Sequence, residues 1–137
     1  MKLTNNFSLE ELVYSETAIK NGINNCAYVD VLNNLNNLCI NVLQPLRDHF
    51  NKPVIITSGY RCKKLNELVG GVSNSQHVKG EAVDLVVLGE DLKDVYNYMK
   101  NNLPFDQLLF ERSNTAQWIH VSFTTNNRHQ AIDNYLA

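Results

Sequence analysis

Residues 75–88, Ser-Gln-His-Val-Lys-Gly-Glu-Ala-Val-Asp-Leu-Val-Val-Leu, combine potential metal ligands with an apolar run. His77 and Asp84 are separated by seven positions, and imidazole nitrogen and carboxylate oxygen are both good ligands for a divalent metal such as zinc. Gly80 between them lets the chain turn so that both side chains point at one centre. The run over residues 82–88 predicts a buried strand that holds Asp84 rigidly near its start.

A second stretch, residues 117–123 (Gln-Trp-Ile-His-Val-Ser-Phe), supplies a third potential ligand. Its alternation of apolar and polar residues predicts a strand that carries His120. A catalytic zinc site usually takes three protein ligands and keeps one coordination position for water. The sequence therefore predicts one metal ion held by the three ligands His77, Asp84 and His120.

The bulk composition predicts a single domain over residues 1–137. The chain is 44% hydrophobic, which suits one compact unit with a substantial core. A net charge of −2 gives no electrostatic reason to expect nucleic acid or an anionic membrane as partner. No apolar stretch approaches the roughly 18–20 residues of a membrane span. We expect a monomer without membrane insertion.

The N-terminus and the cysteines bear on the compartment. Residues 1–7 lack the apolar centre of a signal peptide. We therefore expect either a cytoplasmic protein or one that is released by another route. The three cysteines, Cys26, Cys39 and Cys62, are odd in number and have no paired spacing, so we expect reduced structural thiols.

The remaining patterns predict alternating helices and strands. Ser8 and Glu11 have the spacing of a capping box at the start of a first helix. Apolar residues at helical spacing predict a helix from about residue 30 to 50, with an asparagine-rich solvent face and an interruption or kink at Pro45. We expect strands at about 53–58, 82–88, 106–112 and 117–124, helices at about 63–69 and 91–101, and a last helix in the tail.

The final hairpin indicates a general base. Strand alternation places Gln107, Leu109 and Glu111 on the face that carries His120. Glu111 should lie opposite His120 or one pair away, within roughly 5–8 Å. A carboxylate there is well placed to take a proton from a water at the metal, although a one-residue bulge would turn it to the wrong face.

Arg61 lies in a Gly-Tyr-Arg turn that follows a strand. A guanidinium there could polarise a substrate carbonyl and stabilise the oxyanion that develops on attack. A structural ion pair explains an isolated arginine equally well.

Other titratable residues have simpler interpretations. A lone histidine near a strand is more often structural than a ligand, and we interpret His49 and His129 in that way. His77 and His120 differ from such isolated histidines because Asp84 accompanies them. An unpaired carboxylate at the start of a buried strand is energetically costly, and binding a metal is one way to stabilise it. Glu81 could rival Asp84 as a ligand, but it falls on the opposite face of the strand and should face solvent.

Taken together, these motifs resemble the zinc D-Ala-D-Ala carboxypeptidase-like family of murein peptidases, in its small single-domain branch. The central signature is Ser75-x-His77-x-x-Gly80-x-Ala82-x-Asp84 with a distant Trp118-x-His120-x-Ser122. The likeness covers nearly the whole chain. Further matching segments are 7–12, 15–18, 42–47, 57–61, Leu65-Asn66 and 69–71.

The resemblance implies a hedgehog-like α+β fold with a small, mainly antiparallel sheet flanked by helices. It implies zinc as the metal and a role for Arg61 at the substrate carbonyl. In several branches of the family the catalytic acid lies three residues before the last histidine, a position occupied here by Gln117, which cannot act as a base. The small branch carries an acid at the end of the preceding strand, which here is Glu111.

We interpret the protein as a zinc peptidase that cuts a peptide bond in the stem peptides of bacterial cell wall, either as a D-Ala-D-Ala carboxypeptidase or as an endolysin-type endopeptidase. A catalytically inactive wall-binding or phage-tail domain is the second hypothesis, and Gln117 favours it. A cytoplasmic D-Ala-D-Ala dipeptidase fits the absent signal peptide, as does a phage-encoded lysin released through a membrane pore. Candidates to line the cleft are Tyr60, Ser75, Gln76 and Trp118.

Overall fold

The computed structural model describes the backbone of residues 1–136 and the side chains of residues 1–133. Most of its helices lie in the N-terminal half, and most of the strands of its main sheet lie in the C-terminal half. In chain order they are β1 (Lys2–Thr4), β2 (Phe7–Ser8), α1 (Leu9–Val13), α2 (Glu16–Lys20), α3 (Val29–Leu38), a π-helical segment (Cys39–Leu43), α4 (Gln44–Phe50), β3 (Val54–Ser58), α5 (Lys63–Leu68), β4 (Ala82–Val87), α6 (Leu92–Asn102), β5 (Gln107–Arg112), β6 (Gln117–Ser122) and β7 (Gln130–Leu136).

A five-stranded sheet in the order β3-β4-β6-β5-β7 organises the chain. Every neighbouring pair is antiparallel except β5 and β7, which run parallel. Helices flank this sheet, so the predicted α+β architecture with a mainly antiparallel sheet is confirmed.

One face of the sheet packs into the core. Alternate residues of β4 and β6, such as Leu85 and Ile119, are fully buried and belong to one cluster with the apolar faces of α3, α4 and α6. The intervening residues Asp84 and His120 therefore lie on the other face, because successive side chains of a strand alternate. The helices thus cover one face of the sheet, and the polar side chains of Asp84 and His120 lie on the other face.

The long helical region is interrupted, as the sequence predicts, although the interruption precedes Pro45. The amide of Gln44 donates to the carbonyl of Cys39, which closes a wide π-helical turn before α4 begins. Pro45 has no N–H and occupies the first turn of α4, where that donor is not needed. The apolar stripe stays buried through this wide turn, as Cys39, Val42 and Leu43 show.

At the N-terminus the predicted capping box is present. The amide of Glu11 donates to the hydroxyl of Ser8 at 3.3 Å, and the amide of Ser8 donates to the Glu11 carboxylate at 2.9 Å. The short antiparallel pair of β1 and β2 that precedes this helix was not expected from the sequence.

The predicted C-terminal helix is wrong, because the tail forms β7. Gln130 and Ala131 pair with Gln107 and Leu108 on β5, whose outer edge would otherwise leave backbone groups unpaired. Residues 130–133 alternate in exposure as a strand does, and an ion pair between Lys93 and Asp133 ties them to α6.

Two further findings concern composition. Cys26, Cys39 and Cys62 are all free thiols, in agreement with the sequence prediction. Within the described residues, no helix has the length and apolar character needed to cross a membrane.

Candidate metal centre

One rung of the sheet aligns the predicted ligands. Asp84 on β4 pairs directly with His120 on β6, and on its other side it pairs with Ser58 at the end of β3. Directly paired residues in an antiparallel sheet have Cβ atoms about 4.5–5.5 Å apart. Leu109 of β5 completes the rung beside His120. Two of the three ligands are therefore fixed by strand register alone.

His77 reaches this rung from the loop that precedes β4. The loop turns at Gly80, whose φ of +73° is unfavourable for residues with a side chain. A Cβ at this position would also meet Cγ1 and the carbonyl oxygen of Val31 at 2.8 Å. Both observations confirm that the turn between His77 and Asp84 requires glycine.

The three side chains converge on a common centre. Asp84 Oδ1 lies 3.0 Å from His120 Nδ1 and 3.4 Å from His77 Nε2. All three ligand atoms lie within 4.8 Å of one another. Ligand atoms in a tetrahedral zinc site with bonds of 2.0–2.1 Å are about 3.3–3.4 Å apart. The two separations that involve Asp84 are close to this value, and the 4.8 Å limit covers the remaining pair of nitrogens, so the cluster could hold a metal ion.

The chemistry of the donor set also favours a cation at this centre. Nδ1 of the buried His77 lies 2.9 Å from the carbonyl oxygen of Gly59, so this nitrogen carries the hydrogen and donates it. The lone pair of Nε2 then faces the Asp84 carboxylate, and two acceptors face each other stably only with a proton or a metal between them. A ligand histidine oriented by a backbone carbonyl is typical of metal sites.

Asp84 is held in its charged form. Burial pushes the pKa of this carboxyl upward, but when both imidazoles are protonated, the hydrogen bonds from His120 and His77 and their positive charges outweigh burial and hold the pKa of Asp84 well below the usual range. An ionised carboxylate is the form that binds a metal.

Glu111 lies on the expected face. It pairs with Trp118, two positions from His120 along β6, so the prediction that Glu111 and His120 share a face is confirmed. Burial raises the pKa of Glu111, and the negative charge of Asp84 raises it further, while a hydrogen bond from Trp118 acts in the opposite direction. Gln117 is exposed at the start of β6 and, by strand alternation, belongs to the opposite face from His120.

Arg61 lies beside the cluster and is half-buried. Its amide donates to the carbonyl of His77 at 3.2 Å, and its Nη2 donates to Ser75 Oγ at 3.4 Å. Its Nε is buried without a hydrogen-bond partner, and burial lowers the pKa of the guanidinium. The negative charge of Asp84 acts on this guanidinium in the opposite direction and raises its pKa, and the role of Arg61 at a substrate carbonyl stays a prediction.

Asn25 holds the turn that carries Arg61, a role that sequence reasoning missed. Its amide nitrogen donates to the carbonyls of Val13 and Tyr60, both at 2.8 Å, and its carbonyl oxygen accepts from the amide of Cys62 at 2.7 Å. Asparagines also occupy positions 21 and 24, and no local motif distinguishes Asn25 from them.

A cavity of about 470 Å³ adjoins His120, and Ser75 and Gln76 are among the residues that line it. Trp118 is half-buried beside Glu111. Tyr60 differs, because it is only 6% exposed and belongs to the core cluster. It borders a second cavity of about 320 Å³ next to Arg61.

Sequence reasoning also missed Asp106 and Arg128. Asp106 is buried at the start of β5 and accepts hydrogen bonds from Arg128 and from Gln76, the residue before the first ligand. Arg128 lines the cavity beside His120. The two residues are far apart in sequence, and no motif or periodicity links them.

The remaining candidates lie outside the centre. His49 stacks on Tyr98 and His129 stacks on Phe105, with ring centroids 3.6 and 3.9 Å apart, as expected for structural histidines. Glu81 does not belong to the ligand cluster. It is half-buried rather than solvent-facing, next to a cavity that Asn34 and Phe123 also line, and burial raises its pKa.

Comparison with known proteins adds one finding. A family model described as Peptidase M15 matches residues 5–122. That span contains the three predicted ligands, Arg61 and Glu111, and it ends before Arg128. No curated protein sequence matches the chain.

Proposed function

Because the chain belongs to the peptidase M15 family, in agreement with the resemblance seen in its sequence, we propose that it is a zinc-dependent peptidase acting on peptidoglycan stem peptides. The observation that carries the proposal is the convergence of two imidazoles and one carboxylate at 3.0 and 3.4 Å, beside a carboxylate and a guanidinium on the same side of the sheet. The three ligands His77, Asp84 and His120 would hold the ion.

Zinc bound there would supply Lewis acidity, which makes water acidic near neutral pH and polarises a carbonyl. Glu111 takes the proton from the attacking water as the new C–O bond forms at the scissile carbonyl. Arg61 donates from its unpartnered Nε or its terminal nitrogens to the oxygen on which negative charge develops. Glu111 then returns the proton to the leaving nitrogen as the C–N bond breaks.

The cleft suits a peptide substrate. Its walls next to His120 are mostly polar and include Ser75, Gln76 and Gln107, which can hydrogen-bond backbone amides. We propose that the monomeric chain acts on stem peptides or on peptides that end in D-Ala-D-Ala, as a carboxypeptidase or an endolysin-type endopeptidase. This substrate class rests on the family resemblance. Its place of action would be the cell wall after release, or the cytoplasm if the substrate is a free dipeptide.

Mass analysis of fragments released from purified murein tests this function. The zinc-loaded protein should release peptide fragments, a chelator should stop the release, and added zinc should restore it. Glu111→Gln with its metal retained serves as the matched inactive control. Absence of release from intact murein, from soluble stem peptides and from the D-Ala-D-Ala dipeptide would contradict the proposal.

The non-catalytic hypothesis rested on Gln117. Gln117 is exposed and lies on the opposite face of the strand from His120, whereas Glu111 lies on the same face as His120. In the proposed mechanism the base is therefore Glu111, and a residue at position 117 that cannot act as a base is compatible with activity. No other observation in the described chain favours a binding domain over an enzyme.

A further inference from the structure

The cavity beside His120 is lined by cationic and amide side chains. It measures about 470 Å³, and its walls include the cations Lys79 and Arg128 and the amides of Gln76 and Gln107. Among the described residues that line it there is no carboxylate. A peptide whose scissile bond lies at the metal centre would place its adjacent part in this cavity. Its surroundings therefore favour a negatively charged group.

Arg128 is held rigidly at the wall of this cavity. Asp106 Oδ1 accepts from the backbone amide and the Nε of Arg128, both at 2.9 Å, and Asp106 Oδ2 accepts from Nη2 at 2.8 Å. The Asp106 side chain is only 4% exposed, whereas that of Arg128 is 58% exposed. A buried carboxylate thus fixes both the main chain and the side chain of a solvent-facing arginine.

The same carboxylate links Arg128 to the metal loop. Asp106 Oδ2 also accepts from Gln76 Nε2 at 2.9 Å, and Gln76 directly precedes the ligand His77. The arginine and the metal centre are therefore held in one hydrogen-bonded framework. A surface ion pair that served only to attach the tail would not need the connection to Gln76.

Arg128 retains donors for a ligand. Asp106 occupies the edge of the guanidinium formed by Nε and Nη2. Within the described part of the chain, Nη1 donates to no protein group. A guanidinium clamped on one edge presents its other edge as a preformed two-pronged donor, and this geometry matches a carboxylate.

We propose that Arg128, fixed by Asp106, recognises a carboxylate of the substrate next to the scissile bond. The inference deepens the proposed function and rests on it for the identity of the substrate as a peptide. Two sources supply this chemistry, the free C-terminus of a short peptide and an acidic side chain within a longer one. Recognition of the first kind makes the enzyme a carboxypeptidase, and recognition of the second kind makes it an acid-specific endopeptidase.

Matched pairs of peptides separate the two sources. The first pair is an N-acetylated peptide ending in D-Ala-D-Ala, with a free or an amidated C-terminus. The second pair is a stem peptide whose internal acidic side chain is free or amidated. Loss of a hydrogen-bonded charged partner corresponds to roughly 10- to 100-fold in affinity. We expect one of the two acids to be preferred over its amide by that factor, as a difference in KM.

Variants then assign the preference to Arg128. Arg128→Gln should reduce the acid-over-amide ratio to about one while kcat on the amide and the zinc content stay unchanged. Arg128→Gln leaves the Asp106 carboxylate buried without its cation. The double variant Asp106→Asn with Arg128→Gln removes both charges, and it should show the same acid-over-amide ratio, kcat on the amide and zinc content as Arg128→Gln. Arg47 of α4, whose side chain donates only to Asn51 among the described residues, provides the matched control Arg47→Gln, which should resemble the unmodified protein.

Binding to Glu111→Gln, measured by calorimetry, separates this inference from the proposed function. Tighter binding of one acid than of its amide, lost with Arg128→Gln, supports the inference even if no peptide is hydrolysed. Hydrolysis of acids and amides at equal rates, or a preference that survives in both Arg128 variants, overturns the inference and leaves the peptidase intact. No measurable binding of either acid overturns it as well.

Discussion

Asp84 and Asp106 are both mostly buried carboxylates on neighbouring parts of one sheet, yet their partners give them different chemistry. Asp84 faces two imidazoles, at 3.0 and 3.4 Å. Asp106 faces the guanidinium of Arg128 at 2.8 Å and the amide of Gln76 at 2.9 Å. In both cases hydrogen bonds from these partners hold the pKa of the carboxyl well below its usual range.

The difference lies in what the partners can release. An imidazole loses its proton readily and then offers a lone pair to a metal, whereas a guanidinium stays protonated and has no lone pair to offer. The Asp84 cluster can therefore exchange protons for a metal ion. The Asp106 cluster remains an ion pair and serves to position Arg128. The identity of the basic partner, more than burial, decides the function of each aspartate.

The largest expected effect separates the two aspartates by metal content. Asp84→Asn should abolish stoichiometric zinc binding and all peptidase activity, because the central oxygen shared by both histidines loses its charge. Asp106→Asn should keep one zinc per chain. Elemental analysis of the purified variants after dialysis measures both, and zinc lost from both variants alike would remove the distinction drawn between them.

Glu111→Gln should retain zinc and lose about 10²–10⁴-fold in kcat, since an amide cannot accept the proton of the attacking water. Glu111 does not belong to the cluster of His77, Asp84 and His120, so its replacement should leave the proposed metal in place. Steady-state kinetics on a soluble stem peptide, with zinc content measured in parallel, checks this expectation. Full activity in the variant would exclude Glu111 as the base.

Arg61 and Arg128 extend the comparison to the guanidinium groups. Nε of Arg61 has no partner, whereas Nε of Arg128 is bonded to Asp106. Arg61→Gln should therefore lower kcat by about 10²–10³-fold through loss of oxyanion stabilisation, and Arg128→Gln should act on KM. If the kinetic effects of the two variants were exchanged, the roles assigned to the two arginines would be wrong.

The smallest expected effect concerns stability in acid. The folded-state pKa of Asp106 lies below the unfolded value of about 3.9, because Arg128 hydrogen-bonds the carboxylate. Its contribution is fully present above that unfolded value and is lost as pH falls toward the folded pKa. Asp106→Asn should lower the free energy of unfolding by about 1–3 kcal/mol near neutral pH. The difference in this free energy between the variant and the unmodified protein should shrink below pH 4. Urea denaturation between pH 3 and pH 7 measures this difference; a gap that widens in acid would contradict it.

The parts of the molecule that the sequence predicts are those with local periodicity. Gly80 and the spacing between His77 and Asp84 predict the turn, and strand alternation predicts that His120 and Glu111 share a face. The register of β4 with β6 then places Asp84 directly opposite His120.

The parts that the sequence does not predict depend on contacts between distant segments. Asp106 bonds a residue 22 positions later, and Asn25 bonds Tyr60 across 35 positions. The tail becomes a strand because the edge of β5 offers backbone partners, which no property of residues 130–136 alone specifies.

The most direct test of the central claim is anomalous diffraction at the zinc edge from crystals of the zinc-loaded protein. We predict a single zinc peak per chain, about 2.0–2.2 Å from His77 Nε2, an Asp84 carboxylate oxygen and His120 Nδ1. A peak elsewhere on the chain, or none near these three side chains under zinc saturation, would contradict the account.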